Sequence, residues 1–129
     1  MDKKLLIKKA FEAREKAYVP YSGYHVGACV LTGRGKTYTG CNIESASYTP
    51  TICAERTAIA KAVSEGERDI KAIAITGDSE WTYPCGVCRQ VIREFGKDIL
   101  VIIAKSQEEY REYTLDELLP NSFGPEDLD

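Results

Sequence analysis

Apolar positions along the chain follow two alternating periodicities. Over residues 3–18, Leu6, Ile7, Ala10, Phe11, Ala13, Ala17 and Tyr18 make the stripe of an amphipathic helix, with Lys and Glu on its other face. Pro20, Ser22 and Gly23 end that pattern. Val26–Thr32 and residues 36–43 read as strands joined through Gly33-Arg34-Gly35, a hairpin. Helical spacing returns over 53–65 and closes at Gly66. It returns again over 85–95, opened by Pro84 and followed by Gly96. Between and after these helices lie strands at 70–76 and 99–104, the second a continuous apolar run suited to burial on both faces.

Strand–helix–strand–helix–strand after residue 36 implies crossover connections and a sheet covered on both sides. Only five residues separate Lys105 from the next strand-like stretch, 111–115. A parallel return needs a dozen or more, so this last pairing is expected to be antiparallel. The expected fold is one α/β domain over 1–129, three layers (α/β/α) around a five-stranded mixed sheet.

Composition narrows the function. The chain has 129 residues, 43% hydrophobic and 29% charged, with a net charge of −3. Six bases and three acids fall in residues 1–16, two bases and eight acids in 105–129. Excess acid argues against a nucleic-acid polymer as partner, because phosphate contacts need clustered Lys and Arg. A small neutral substrate fits this balance better. No apolar run approaches a membrane span and none near the start resembles a secretory signal, so a cytoplasmic protein without a membrane partner is expected.

Cysteine placement then changes the picture. Five cysteines without an expected export signal do not suggest a disulfide framework. Cys29 and Cys41 sit in strand-like runs and read as small core side chains. The other three are grouped: Cys53-Ala54-Glu55, then 28 residues, then Pro84-Cys85-Gly86-Val87-Cys88. Cys85 and Cys88 can face one ion from the first turn of a helix, and Cys53 begins another. Two helix N-termini aimed at one point favour thiolates. Three sulfur ligands leave the fourth position of a tetrahedral zinc open, as a catalytic site requires. His25, the only histidine, lies far from both motifs and reads as a surface or packing residue. A thiol-redox pair is the rival reading of Cys-x-x-Cys, and Trp81 nearby invites it. That tryptophan stands four residues before Cys85, however, and a redox pair leaves Cys53 and Glu55 unexplained.

Glu55 is the expected proton carrier. Zinc makes a water acidic near neutral pH, and a carboxylate beside it can take that proton. Arg56 is expected to hydrogen-bond a thiolate, because three thiolates overcompensate the charge of one Zn²⁺. Asn42 and Glu44 are two apart beyond the second strand, so their side chains are expected to share a face.

The chain resembles the small homotetrameric zinc-dependent cytidine deaminases over nearly its whole length. The resemblance rests on Tyr21-Ser22, Val26-Gly27-Ala28, GCNIE at 40–44, CAERTA at 53–58, AVSEG at 62–66, PCGVCRQ at 84–90 and LLPNSFGPEDL at 118–128. It implies one Zn²⁺ per subunit and hydrolysis of cytidine and deoxycytidine to the uridines with release of ammonia. Glu55 would return protons to the ring nitrogen and the departing amine. It also implies substrate contacts through Asn42, Ile43, Glu44 and Ala54, with Asn42 and Glu44 on the ribose. Tyr24 would lie near the base, where relatives often have Phe. Tyr48 would reach a neighbour's ribose, and Phe123 would stack on the base in a neighbouring subunit's site. The tail after Leu119 has few apolar residues and many acids, so it is expected to order only across a neighbour. Tyr83, where relatives commonly have Ser, and Pro50 depart from the pattern near the expected pocket mouth. A deaminase for another amino-heterocycle, such as an antibiotic nucleoside, is the nearest alternative; the 123–125 segment with Asn42 and Glu44 favours the ordinary nucleoside.

Overall fold

The computed structural model describes residues 1–128. Helix α1 (Lys3–Arg14) leads into strands β1 (Val26–Thr32) and β2 (Thr37–Cys41). Helix α2 (Ala54–Ser64), strand β3 (Ile70–Gly77), helix α3 (Gly86–Arg93) and strands β4 (Leu100–Ala104) and β5 (Tyr110–Thr114) follow. A short helix α4 (Leu115–Leu118) and a 3₁₀ turn (Pro125–Asp127) end the described chain. The sheet order is β2-β1-β3-β4-β5. Only β3 and β4 run parallel; β1 is antiparallel to both neighbours and β5 to β4. The mixed five-stranded sheet and its antiparallel last strand are therefore as the chain pattern predicts.

Alternation along the strands sorts the two faces. Cys29, Ala72, Ala74, Ile102 and Ala104 meet Leu6, Ile7 and Ala10 of α1. Ala28, Val30, Ile73, Ile75, Val101 and Ile103 face the opposite way, against Ala58, Ile59 and Ala62 of α2 and Ile92 of α3. Small residues on the first face let α1 lie close to the sheet, whereas branched ones fill the wider space under two helices. Cys29 is fully buried, and burial pushes its thiol up to about 11. Cys41 is only half-buried, at the end of an edge strand, and is not the core residue its strand-like run suggested.

Two features position the site. A Cβ on Gly40 would lie 2.5 Å from the Ala54 carbonyl oxygen and 2.5 Å from the Ala58 nitrogen, so glycine lets α2 rest directly on β2. Strand β3 ends, and antiparallel β1 begins, on the side of the α2 and α3 N-termini, bringing 24–26, 53–55 and 82–85 together around one pocket.

The first helix stops at Arg14, four residues short of its apolar stripe. Tyr18 is captured instead by the extension of β2: its N–H donates to the Asn42 carbonyl, and its own carbonyl accepts from the Glu44 N–H. The tail departs further from expectation. Residues 118–127 are ordered against α3 of their own chain, through Arg89, Gln90 and Arg93. Leu118 and Leu119 pack on the core, and beyond them polar anchors hold the tail, which a count of apolar residues cannot detect. No helix among the described residues is long and apolar enough to cross a membrane.

Candidate active site

Cys53 is the N-cap of α2 and Cys85 the N-cap of α3, with Cys88 one turn further on. Their Sγ atoms all lie within 4.8 Å of one another, and those of Cys53 and Cys85 are 3.9 Å apart. Zn–S bonds of about 2.3 Å at tetrahedral angles place sulfurs about 3.8 Å apart. A disulfide would need about 2.05 Å. The donor set therefore fits zinc: three soft ligands at the right separation, converging from two positive helix ends.

Charge within the cluster is unequal. The Cys53 thiol is lowered to about 5, first by a hydrogen bond from Cys88 and then by Arg56, against the opposing effect of burial. Cys88 is pushed up, chiefly because it supplies that hydrogen bond and is itself buried. In effect two sulfurs share one proton, which a bound dication would displace. The Cys85 Sγ accepts from the Cys88 N–H at 3.4 Å. Arg56 Nη2 donates to Cys53 Sγ at 3.5 Å, while its Nε is buried with no partner. The thiolates hold the guanidinium firmly protonated.

Glu55 follows directly on this cluster. It is 4% exposed, and desolvation pushes its carboxyl up to about 7. It lines a pocket of about 220 Å³ together with Tyr24, Val26, Asn42, Cys53, Ala54 and Cys85. Thr51, Ile52, Thr82 and Tyr83 complete the wall, and sequence reasoning did not assign them to substrate contact. Thr82 carried no motif signal; its place is set by Tyr24, whose hydroxyl lies 2.7 Å from Thr82 Oγ1 and accepts from the Ser79 N–H at 3.1 Å. The added hydroxyl of Tyr24 is thus fully partnered. Tyr83, at the same wall, meets the Tyr113 hydroxyl at 2.6 Å and accepts from Arg111 Nη1 at 3.1 Å. That partnership ties the loop before Cys85 to β5.

Of the other candidates Asn42 is in the wall, and the rest lie around it. Asn42 Oδ1 accepts from the Val26 N–H at 2.9 Å, and Nδ2 donates to the Tyr24 carbonyl at 2.8 Å. Glu44 Oε1 accepts from the Tyr21 and Ser22 N–H groups at 3.0 and 3.1 Å, and Oε2 from the Ser22 hydroxyl. These bonds hold its carboxyl below the usual carboxylate range. Both side chains thus reach the same segment, 21–26, and clamp it at two points. Ile43 pairs through its backbone with Ile52 and has an exposed side chain. Tyr48, at φ 64, is exposed and packs edge-on against Tyr21. Phe123 is 56% exposed and outside the pocket wall. His25 pairs with Asp78 at 2.9 Å, away from the sulfurs.

Comparison with known proteins agrees with this geometry. The family described as "Cytidine and deoxycytidylate deaminase zinc-binding region" matches residues 1–104. A cytidine deaminase of Halalkalibacterium halodurans is 50% identical over 130 residues, 99% of this chain and 98% of that protein. One from Sporosarcina psychrophila is 48% identical over 99% of this chain and 96% of its own. The crystal structure of cytidine deaminase from Burkholderia pseudomallei superposes with a TM-score of 0.87 at 45% identity, covering 92% of this chain and 97% of that one.

Proposed function

The chain belongs to the zinc-binding cytidine and deoxycytidylate deaminases, and from that premise we propose that it hydrolyses cytidine and deoxycytidine to the uridines and ammonia, with the roles below for its residues. The observation that carries the reading is Glu55: a nearly fully buried carboxyl on the pocket wall, two residues from one sulfur of a three-cysteine cluster.

Cys53, Cys85 and Cys88 hold the zinc. When bound, zinc supplies Lewis acidity that brings a water into its reactive range near neutral pH. Glu55 accepts one proton from the attacking water and delivers it to the ring nitrogen beside the amino-bearing carbon. It then passes the water's second proton to the departing amine, which leaves as ammonia, so water is consumed and the carboxylate is restored. Burial suits Glu55 to both steps, since a carboxyl poised near neutral pH gives and takes protons with small driving-force penalties. The adjacent cation favours its ionised form, the form that starts the cycle. Tyr24, Asn42 and Ala54 bound the base and sugar within the pocket. Arg56 draws charge from the Cys53 sulfur, keeping the metal acidic. Arg56→Gln is expected to lower kcat about 10–100-fold with zinc near one per chain; an unchanged kcat would make this arginine a packing residue.

Absorbance assays with cytidine and deoxycytidine, run beside a zinc determination, test the reaction. Turnover of both at one zinc per chain supports it. Inert cytidine with a full zinc complement and turnover of an antibiotic amino-nucleoside would move the assignment to another heterocycle.

The proposal extends to assembly: a homotetramer in the cytoplasm, serving pyrimidine salvage, in which Phe123 and Tyr48 reach neighbouring sites. What supports this is that both rings are exposed and neither lines the pocket of its own chain. Phe123→Ala is expected to weaken substrate binding by about 1–3 kcal/mol, the worth of one stacking contact. When this variant exchanges subunits with Glu55→Gln, some sites regain an intact Glu55 and a neighbour's intact Phe123. Efficiency at low substrate should then exceed the sum of the parents. Purely additive activity after verified exchange would put Phe123 in its own subunit's site, or in none.

A further inference from the structure

Arg93 is a buried cation that the chemistry above does not use. It is 2% exposed, at the end of α3, on the side away from the sulfurs. Its Nε donates to Ser122 Oγ at 2.9 Å, and its Nη atoms pair with the Glu126 carboxylate. Between those anchors runs Gly124, whose backbone lies against the guanidinium: a Cβ there would sit 2.1 Å from Nη1. One turn earlier on α3, Gln90 Nε2 donates to the Phe123 carbonyl at 3.0 Å. Arg89 Nη1 holds the Leu118 carbonyl at 2.7 Å, just before the chain reverses at Asn121 with φ 58.

Phe123 is therefore fixed on both sides. Its carbonyl is tied to Gln90, the residue before it to Arg93 and the residue after it pressed on the same guanidinium. The Gly124 N–H donates to Asp127 Oδ2 at 2.9 Å, closing the turn that presents Glu126. With its backbone so held, the Phe123 ring is left pointing off the α3 surface, half exposed. Apolar burial cannot explain the order beyond Leu119, since Pro120, Phe123, Pro125 and Leu128 are all exposed; a polar clasp on a buried cation can.

We infer that Arg93, with Ser122, Gly124 and Glu126, forms a clasp that positions Phe123 for the neighbouring active site. Arg93 is a positioning residue: it touches no reacting atom and acts through the tail it grips. The inference rests on the proposed role of Phe123. Its advantage is entropic, because a ring presented in one orientation loses less freedom when it stacks on a substrate than a ring on a free tail.

The test uses the full-length zinc enzyme and variants chosen to spare the fold. Glu126→Gln removes the ion pair at an exposed carboxylate, and Gly124→Ala places a methyl against the guanidinium. Each is expected to raise KM for cytidine about 3–10-fold, with saturated kcat and zinc per chain unchanged. Neither should raise KM further in a Phe123→Ala background, since the clasp then has nothing to present. Arg93→Lys keeps the charge but loses the fork and should resemble Gly124→Ala. Labelling with 4-fluorophenylalanine gives a readout independent of turnover. The Phe123 resonance, assigned by its loss in Phe123→Ala, should narrow in the clasp variants while those of Phe11 and Phe95 stay in place. If the clasp variants leave KM and this resonance unchanged while Phe123→Ala raises KM, the clasp is overturned and the role of Phe123 stands. If Phe123→Ala itself leaves KM unchanged, the role of Phe123 fails, and the clasp with it.

Discussion

Glu55→Gln should keep about one zinc per chain and lose turnover by about 10²–10⁴-fold, the range for removing a positioned proton carrier, or roughly 3–5 kcal/mol of barrier. Glutamine matches glutamate in size and reach, so the pocket wall keeps its shape, but an amide cannot accept the water's proton. The loss should fall on kcat, because the proposed proton transfers of Glu55 accompany water attack and amine departure, not substrate binding. A second signature follows from burial, which lifts the carboxyl of the zinc-free protein to about 7. A carboxyl raised above its unfolded value favours the fold below the unfolded pKa. That contribution is lost as pH rises from about 4.5 to 7. Zinc-free Glu55→Gln should lack this downward slope. At pH 8 it should therefore unfold at a higher temperature than the zinc-free parent. Zinc and activity lost in equal measure would make Glu55 a structural residue.

How far the chain pattern reaches can be seen in particular elements. β4 was legible because 99–104 is apolar without interruption, and Val101 and Ile103 bury one way while Ile102 and Ala104 bury the other. The antiparallel β5 was legible from loop length alone. The end of α1 was not, because Ala17 and Tyr18 continue its apolar stripe, yet long-range pairing with 42–44 takes the backbone at Tyr18. α4 was missed although its signal was present: Thr114 and Glu117 form a capping box, the Thr-x-x-Glu pattern of a helix start. At the site, spacing placed Cys85 and Cys88, since a helix N-terminus fixes where residues i and i+3 point, and Cys53 joined them as the start of a second helix in a paired motif. Asn42 and Glu44 illustrate the limit. Their two-residue spacing points to a common partner, segment 21–26, but cannot reveal that their polar atoms are already engaged by that segment. The tail shows a related limit, because one buried arginine outweighs a composition that otherwise argues for disorder.

Removing one sulfur should cost more than chemistry. Cys53, Cys85 and Cys88 sit at the starts of α2 and α3, so an ion held by all three would join the two helices. A ligand that binds only the folded state stabilises it by about 2.7 kcal/mol at 100 times its dissociation constant. For a domain of this size that is on the order of 10 °C in Tm. Cys85→Ala, at the exposed sulfur, is the cleanest variant, because it opens no core cavity. Its zinc content should fall from about one per chain to near zero, its activity to background and its Tm by that amount. Chelating zinc from the parent protein should give the same Tm as Cys85→Ala, and chelator should then shift the variant no further. Cys29→Ala is the control. It removes a fully buried thiol from the α1 face of the sheet, so it should lower Tm through lost packing yet keep zinc and turnover. An empty zinc site in Cys29→Ala, or a full one in Cys85→Ala, would reassign the ligands.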